Sequence, residues 1–258
     1  MEFSVNGLGT ANPPHSMSME EATNLAQAIC CETDKQRRIV EAIYRRSQVQ
    51  NRYTCVPHRT ALDWIARDEN GQRSESGYGP SMAQRMAFYE QHAAEMASSA
   101  CRAALQESAF DAAAITHLIT VTCTGFFAPG VDVSLVRDLS LRRTTERVQV
   151  GFMGCHGVVN GLRVAQGLAA DPTNRILLCA VELCSLHYWF QWDPERLVGN
   201  ALFADGAAAV VGGGHERNEQ TISRLAATGS CLIPHSLDDL TWRICDHGIE
   251  MNLGAIVP

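Results

Sequence analysis

Several features that would assign the sequence to a familiar functional class are missing from it. No apolar run approaches the about 18 residues that a membrane-spanning helix requires. Residues 1–16 contain neither a basic start nor an apolar block, so we expect no signal peptide. Basic residues number 21 against 28 acidic ones, and the net charge of −7 argues against a nucleic-acid partner held by its phosphates. The composition is that of a soluble, cytoplasmic protein.

Metal-binding spacings are also absent from the sequence. Its 10 cysteines include no C-x-x-C pair, and its 9 histidines include no H-E-x-x-H or H-x-H pattern. In a chain of this length without a leader, most cysteines are expected to be reduced and buried as small apolar residues. We therefore predict no metal site and no cofactor.

The sequence does contain enough apolar side chains to form a large core, with 46% hydrophobic and 19% charged residues. Apolar residues recur at helical spacing over residues 18–48 and again over 81–107. Farther along, short apolar runs alternate with helical segments, which predicts an α/β fold with a mixed or parallel sheet between helices. The predicted strands are 115–123, 148–150, 175–183, 207–211, 221–229 and 242–253, and the predicted helices between them are 131–139, 157–170 and 195–203.

One cysteine differs from the others in its surroundings. Cys155 follows a short predicted strand, lies between Gly154 and Gly157, and precedes a predicted helix. The glycines permit a tight turn that presents the thiol. The helix N-terminus favours the thiolate by about 0.3–2 kcal/mol, which is about 1.5 pKa units at most. Because this is too little to ionise a cysteine fully at neutral pH, we expect a nucleophile that also needs a histidine partner.

Three histidines are candidates for that partner. His156 adjoins the cysteine, but consecutive helical side chains diverge, so it is a poor candidate. His117 and His187 lie near the ends of two predicted strands and are better placed.

Four segments together resemble the type III polyketide synthases, the chalcone and stilbene synthase family. The first is the strand and turn around Cys155, and the others are Val121-Thr122-Cys123-Thr124-Gly125 with Pro129-Gly130-Val131-Asp132, Ile176 to Glu182, and Leu197 to Ala209. The resemblance begins at about Tyr44. It implies a thiolase-like layered αβαβα fold, of which the chain holds the N-terminal half as domain 1–214 and the start of the C-terminal half as residues 215–258. It also implies a homodimer.

The resemblance implies a decarboxylative Claisen condensation of malonyl-coenzyme A onto an acyl-coenzyme A starter. Cys155 would be the acyl-accepting nucleophile, and Phe203 would gate the cavity. Cys184 and His187 replace the small threonines familiar in chalcone synthases, which argues against chalcone as the product. By position, the cavity wall would comprise Thr124, Cys184, His187 and Gly248, and the basic residues for the coenzyme A phosphates would be Arg46 and Arg52.

The family also uses a histidine and an asparagine to stabilise the reacting oxygens, and neither has a match in this sequence. The unmatched candidates are His215, His235, His247 and Asn252. The chain stops directly after a predicted strand, so we expect it to be part of a longer protein.

Other functions remain open at this point. A ketoacyl synthase that condenses on a carrier protein uses similar chemistry, although the segment Leu197 to Ala209 favours free coenzyme A thioesters. A cysteine hydrolase with a nucleophile elbow would have glycine where Met153 stands. A non-catalytic acyl-binding or dimer-forming remnant is the third alternative.

Overall fold

The computed structural model describes residues 2–64, 77–214 and 221–254. The strands in these ranges are β1 (Phe3–Ala11), β2 (His15–Ser18), β3 (Asn51–Thr54), β4 (His117–Thr122), β5 (Glu146–Gly151), β6 (Arg175–Leu183), β7 (Asp205–Gly213), β8 (Ser223–Leu225), β9 (Leu240–Cys245) and β10 (Gly248–Leu253). The helices are α1 (Met19–Cys30), α2 (Asp34–Ser47), α3 (His58–Asp63), α4 (Met82–Ser108), α5 (Val131–Asp138), α6 (Gly157–Leu168) and α7 (Pro194–Leu202). His215 and the start of the predicted second domain lie outside the described residues.

The chain divides into two compact units, each made of three separate stretches. The first unit comprises Met1–Asn12, Tyr89–Glu182 and Gly206–Cys231. The second unit comprises Pro13–Phe88, Leu183–Asp205 and Leu232–Pro258.

The first unit is built on a six-stranded mixed sheet with the strand order β5-β4-β6-β7-β1-β8. The strand β4 is parallel to both of its neighbours, β5 and β6. At the other side of the sheet, β1 is antiparallel to β7 and to β8. The α/β class with a mixed sheet, predicted from the alternation of apolar runs, is confirmed. The strand β5, which precedes Cys155, lies at an edge of the sheet.

Helices cover the sheet of the first unit on both faces. The helix α6 packs closely through glycine, because a Cβ at Gly161 would lie 2.9 Å from Leu178 Cδ1 and 3.0 Å from Val121 Cγ2. The neighbouring strand residue, Thr122, points the other way and accepts a hydrogen bond from Tyr89 of α4 at 2.8 Å. Since successive side chains of a strand face opposite sides, α6 and α4 lie on opposite faces of the sheet.

The second unit has a helical core with two small hairpins. The strands β2 and β3 pair antiparallel, as do β9 and β10. The helices α1, α2 and α7 bury one apolar cluster, whose larger members are Leu25, Ile29, Tyr44, Tyr188, Phe190 and Leu197. This core supports the segments that flank α7 in the sequence.

Two predicted elements are divided in the structure. The helix predicted over 18–48 is two helices, because Cys31 is extended (φ −108°, ψ 136°) and Thr33 begins α2 with a capping box to Gln36. The strand predicted over 242–253 is the hairpin β9–β10, whose turn at residues 246 and 247 leads into Gly248 with φ +124°. In both cases a local capping or turn signal interrupts a continuous apolar pattern. None of the helices in the described ranges is long and apolar enough to cross a membrane.

The glycines of α6 provide a test of how tightly the helix that follows Cys155 sits on the sheet. We expect Gly161→Ala to be less stable than Gly167→Ala in the same helix by about 1–3 kcal/mol, because a methyl group at 161 overpacks the interface. A methyl group at 167 meets no atom within 4 Å and gains helix propensity. Urea unfolding of both variants measures the difference, and equal stabilities would contradict the close packing.

Candidate active site

The first unit presents Cys155 on a sharp connection between β5 and α6. The ladder of β4 and β5 ends with Thr122 opposite Gly151, and the Phe152 amide then donates to the Thr122 carbonyl at 3.2 Å. The chain turns through two residues with left-handed backbones, Phe152 (φ +55°) and Gly154 (φ +69°). Glycine adopts this conformation freely, whereas phenylalanine does so at a cost of about 1–3 kcal/mol. The tight turn predicted from the glycines is therefore present.

Cys155 lies in a 3-10 turn, Gly154–His156, that leads directly into α6. Its side chain is exposed, whereas Cys123, Cys101 and Cys179 of the same unit are buried. The first turn of α6 lies close against the sheet. A Cβ at Gly157 would be only 3.0 Å from Val121 Cγ1. An exposed thiol at the start of a fixed helix is the arrangement expected of a nucleophile.

A second thiol lies beneath this turn. Cys123 directly follows β4, and its Sγ donates to the Gly154 carbonyl at 3.5 Å. Burial, followed by the nearby carboxylate of Glu182, raises the pKa of Cys123 above its usual value. This thiol is therefore kept protonated and able to donate.

Glu182, near the end of β6, organises the residues behind the turn. Its carboxylate accepts the backbone N–H of Cys123 at 2.9 and 3.0 Å and the hydroxyl of Thr124 at 2.5 Å. The Thr122 hydroxyl lies 3.4 Å away. Burial raises the pKa of Glu182, while these hydrogen bonds favour its charged form and limit the rise. Thr124, predicted as a cavity residue, is buried and engaged with Glu182 in the structure.

The structure corrects one of the proposed histidine partners. His117 begins β4, whereas Thr122, next to the nucleophile turn, ends it. Five strand steps separate the two residues by about 16 Å. His117 lies instead 3.6 Å from Glu146, at the opposite end of the ladder between β4 and β5. It is therefore too far from the turn to act as the base for Cys155, and the expectation that it is well placed is wrong.

Phe203 and the two arginines lie in the second unit. Phe203 is half-buried and ends α7, donating its backbone N–H to the Gly199 carbonyl at 3.0 Å. Arg46 is exposed in the last turn of α2. Arg52 is completely buried, stacks over Tyr44 at 4.9 Å and donates to the Ala201 carbonyl. The guanidinium of Arg52 thus makes contacts inside the second unit, and Arg46 is the arginine that faces solvent.

The three predicted cavity residues of the second unit come together in the structure. Cys184 and His187 share the 3-10 turn that follows β6. The Nδ1 of His187 accepts a hydrogen bond from the backbone N–H of Ile249 at 3.2 Å. Ile249 directly follows Gly248. His187 also meets the edge of the Trp242 ring with centroids 6.0 Å apart. The turn and the hairpin β9–β10 are therefore joined through this imidazole.

A buried arginine that the sequence analysis did not single out fixes the same region. Arg85 donates to the backbone carbonyls of Leu186, Pro80 (2.9 Å) and Tyr78 (3.1 Å). Burial lowers the pKa of its guanidinium to about 10. The guanidinium lies against Gly248, where a Cβ would be 3.1 Å from its Cζ. A side chain at Gly248 would therefore crowd Arg85, whose guanidinium would have to shift by a few tenths of an ångström.

Glu182 and Cys123 lie in segments that the sequence analysis singled out but received no role of their own there, and Arg85 was not singled out at all. Glu182 had a usable signal, because a carboxylate that follows the apolar run from Ile176 to Val181 needs hydrogen-bond donors to replace water. Cys123 and Arg85 had none, since their importance depends on contacts distant in sequence. Within the described ranges, no group of three or more His, Cys, Asp or Glu side chains is arranged to hold a metal ion.

The carboxylate of Glu182 predicts a specific pH dependence of the protein's stability. Because the folded-state pKa of Glu182 is raised, the native state binds its proton more readily than the unfolded chain does. Its contribution to stability is therefore greatest at acidic pH and is lost as the pH rises through the raised pKa. We expect Glu182→Gln to remove this part of the dependence, measured by urea unfolding from acidic to neutral pH. Glu90→Gln, at an exposed position of α4, is the control and should leave it unchanged.

Gly248 predicts a local effect in the second unit. We expect Gly248→Ala to lose about 1–3 kcal/mol of stability, because alanine is strained at φ +124° and its methyl group meets Arg85. Gly229→Ala, where a Cβ meets nothing within 4 Å, should change stability by less than about 0.5 kcal/mol. Chemical unfolding of both variants checks this, and a wild-type midpoint for Gly248→Ala would disprove the contact with Arg85.

Comparisons with known proteins identify the family of this chain. The model of the family "Chalcone and stilbene synthases, N-terminal domain" matches residues 3–215. The alpha-pyrone synthesis polyketide synthase-like protein Pks18 of Mycobacterium tuberculosis is 30% identical over 259 residues, covering 98% of this chain and 63% of Pks18. The chain thus spans less than two thirds of the length of this curated relative.

Solved structures share the fold over the full chain. The C-terminal type III polyketide synthase domain of Steely1, a hybrid from Dictyostelium, has a TM-score of 0.88 at 25% identity, covering 100% of this chain and 69% of that one. PKS-I from the brown alga Ectocarpus siliculosus has a TM-score of 0.87 at 29% identity, covering 99% and 68%. The match of the family model over most of the sequence carries the assignment: the chain belongs to the chalcone and stilbene synthases, the family of type III polyketide synthases.

Proposed function

We propose that the protein is an acyltransferase of polyketide biosynthesis that condenses malonyl-coenzyme A onto an acyl starter held as a thioester on Cys155. The observation that carries the proposal is the exposed Cys155 thiol at the start of α6 in a chain of this family. The relatives described above are named as polyketide synthases, which supports the same class of reaction.

The chemistry proceeds in two transfers on the same sulfur. In the first, the Cys155 thiolate attacks the carbonyl of the starter thioester, and coenzyme A leaves as its thiolate. In the second, malonyl-coenzyme A loses carbon dioxide, and the resulting enolate carbon attacks the Cys155 thioester. A carbon–carbon bond forms while the cysteine thiolate is expelled, so the sulfur is free to accept the lengthened chain again.

Binding of coenzyme A thioesters requires positive charge for the phosphates. We assign this contact to Arg46, whose guanidinium is exposed at the end of α2. Arginine suits this role because its guanidinium matches a phosphate with two parallel hydrogen bonds. Arg52 would support the same region from within, since it fixes the chain between α2 and α7 through the carbonyls of Val49 and Ala201.

By the family resemblance, Thr124 of the first unit would contact the acyl chain. In the second unit, Cys184, His187 and Gly248 would have this role, with Phe203 as the gate. Thr124 is held by its hydrogen bond to Glu182, and His187 accepts one from the Ile249 N–H. Polar side chains held in this way would select the starter by shape as well as by hydrophobicity.

We also propose that two copies associate through the edge of the sheet next to the nucleophile. The strand β5 lies at that edge, and several apolar side chains on and after it are exposed. They are Val148, Phe152, Met153, Val158 and Val159, with exposed fractions from 37 to 44%. An open strand edge flanked by exposed apolar groups is normally covered by a partner.

Intact-mass spectrometry tests the proposed acyl transfer. The protein is incubated with malonyl-coenzyme A and with a panel of aromatic and fatty acyl-coenzyme A starters. We expect a single acyl adduct on the wild-type chain, because one exposed thiol is placed at a helix start. The adduct should disappear in Cys155→Ala.

Cys231→Ala is the matched control, since Cys231 is also an exposed cysteine of the first unit. It should acquire the adduct as the wild type does. An adduct that persists in Cys155→Ala would show non-specific acylation, and a folded wild-type sample without any adduct would favour a non-catalytic acyl-binding or dimer-forming protein.

A further inference from the structure

A side chain that the proposed chemistry does not use contacts the turn that carries Cys155. The Sγ of Cys123 donates to the carbonyl of Gly154 at 3.5 Å, and Gly154 directly precedes the nucleophile. The backbone of Met153 also lies beside this sulfur. A buried thiol thus lies beneath the backbone that orients an exposed one.

Cys123 is itself held by several contacts. Its backbone N–H is bound by both carboxylate oxygens of Glu182, at 2.9 and 3.0 Å. On either side of it, the hydroxyls of Thr122 and Thr124 lie within 3.4 Å of the same carboxylate, and Tyr89 donates to Thr122 at 2.8 Å. A side chain that starts from so constrained a backbone has little freedom to move, so its sulfur is a fixed reference point for the turn.

The turn needs such a reference point because its own hydrogen bonds are few. The Phe152 N–H donates to the Thr122 carbonyl, and the Gly157 N–H donates to the Gly154 carbonyl within the turn. The residue that caps α6, His156, makes no side-chain cap hydrogen bond. Two left-handed residues, Phe152 and Gly154, add strain. The Gly154 carbonyl is the point next to Cys155 at which Cys123 attaches the turn, in addition to the bond of Phe152 to the end of β4.

We propose that Cys123 is a positioning residue for Cys155: its thiol, anchored through Glu182, holds the Gly154 carbonyl and so fixes the direction in which the nucleophile is presented at the start of α6. The proposal rests on the nucleophile role of Cys155 given above. Small displacements of a reacting group lower rates strongly, by up to about 100-fold for 1 Å. A lost thiol donor should therefore be visible as lowered reactivity of its neighbour.

The test measures the rate at which iodoacetamide alkylates Cys155, with the exposed Cys231 in the same sample as the internal standard and peptide mapping as the readout. We expect the ratio of the two rates to fall about fivefold to tenfold in Cys123→Ala, because the turn is no longer held. In Cys123→Ser, where a hydroxyl restores the donor, the ratio should stay within about twofold of the wild type.

Cys179→Ala is the matched control for the loss of a buried thiol. Cys179 is fully buried in the same sheet and donates its thiol to the Ala97 carbonyl at 3.8 Å, away from the turn. We expect it to leave the ratio unchanged. The proposal is overturned if Cys123→Ala keeps the wild-type ratio, if Cys123→Ser is as slow as Cys123→Ala, or if Cys179→Ala lowers the ratio equally.

If Cys123→Ala does not fold, the isosteric pair Cys123→Thr and Cys123→Val gives the same comparison, since only threonine retains a donor. Equal ratios in this pair would overturn the proposal, and a lower ratio in the valine variant would support it. Alkylation needs no acyl transfer, so the positioning role and the proposed function fail separately. If the wild type forms no acyl adduct but Cys123→Ala has a lowered alkylation ratio, only the proposed function is rejected. If the wild type forms the adduct but Cys123→Ala keeps the wild-type ratio, only the positioning role is rejected.

Discussion

The close contact of α6 with the sheet is the constraint on which the candidate site depends. Gly157 and Gly161 place the helix backbone against Val121 and Leu178, and any larger residue would lift it. Because the 3-10 turn with Cys155 is continuous with α6, the position of the helix also determines the position of the thiol. The position of the Cys155 thiol is therefore a consequence of packing between small residues and a β-sheet.

Carboxylates withdrawn from solvent in both units accept hydrogen bonds from backbone N–H groups and from hydroxyls. Glu182 is held by the N–H of Cys123 and by neighbouring hydroxyls. In the second unit, Asp205 accepts the N–H groups of Cys55 and Ser185 and the Ser185 hydroxyl, while burial raises its pKa. A buried carboxylate is tolerated when donors replace the lost water. Such charges fix loop backbones in place, and the loops around the candidate site are fixed in this way.

Much of the first unit could be predicted from the sequence. The strand at 175–183 is found as predicted, and the helix at 81–107 differs by one residue at each end, because both have long, uninterrupted patterns. The strand β1 was missed, since Gly7 and Gly9 dilute its apolar pattern for a reason visible only in three dimensions: a Cβ there would collide with the backbone of α4. The tight turn that presents Cys155 could be predicted from its glycines, whereas the burial of Arg52 and the distance of His117 from the turn depend on tertiary placement.

The hydrogen bonds of the buried Arg85 have a consequence for how the protein responds to pH and to salt. Its partners are the carbonyls of Leu186, Pro80 and Tyr78, which carry no titratable proton. Acidification neutralises carboxylates and breaks ion pairs, and added salt screens them. Neither change removes an acceptor from this guanidinium. The segment around Cys184 and His187 should therefore keep its anchor in acid and at high ionic strength, under conditions that weaken surface ion pairs such as that of Arg147 with Asp132.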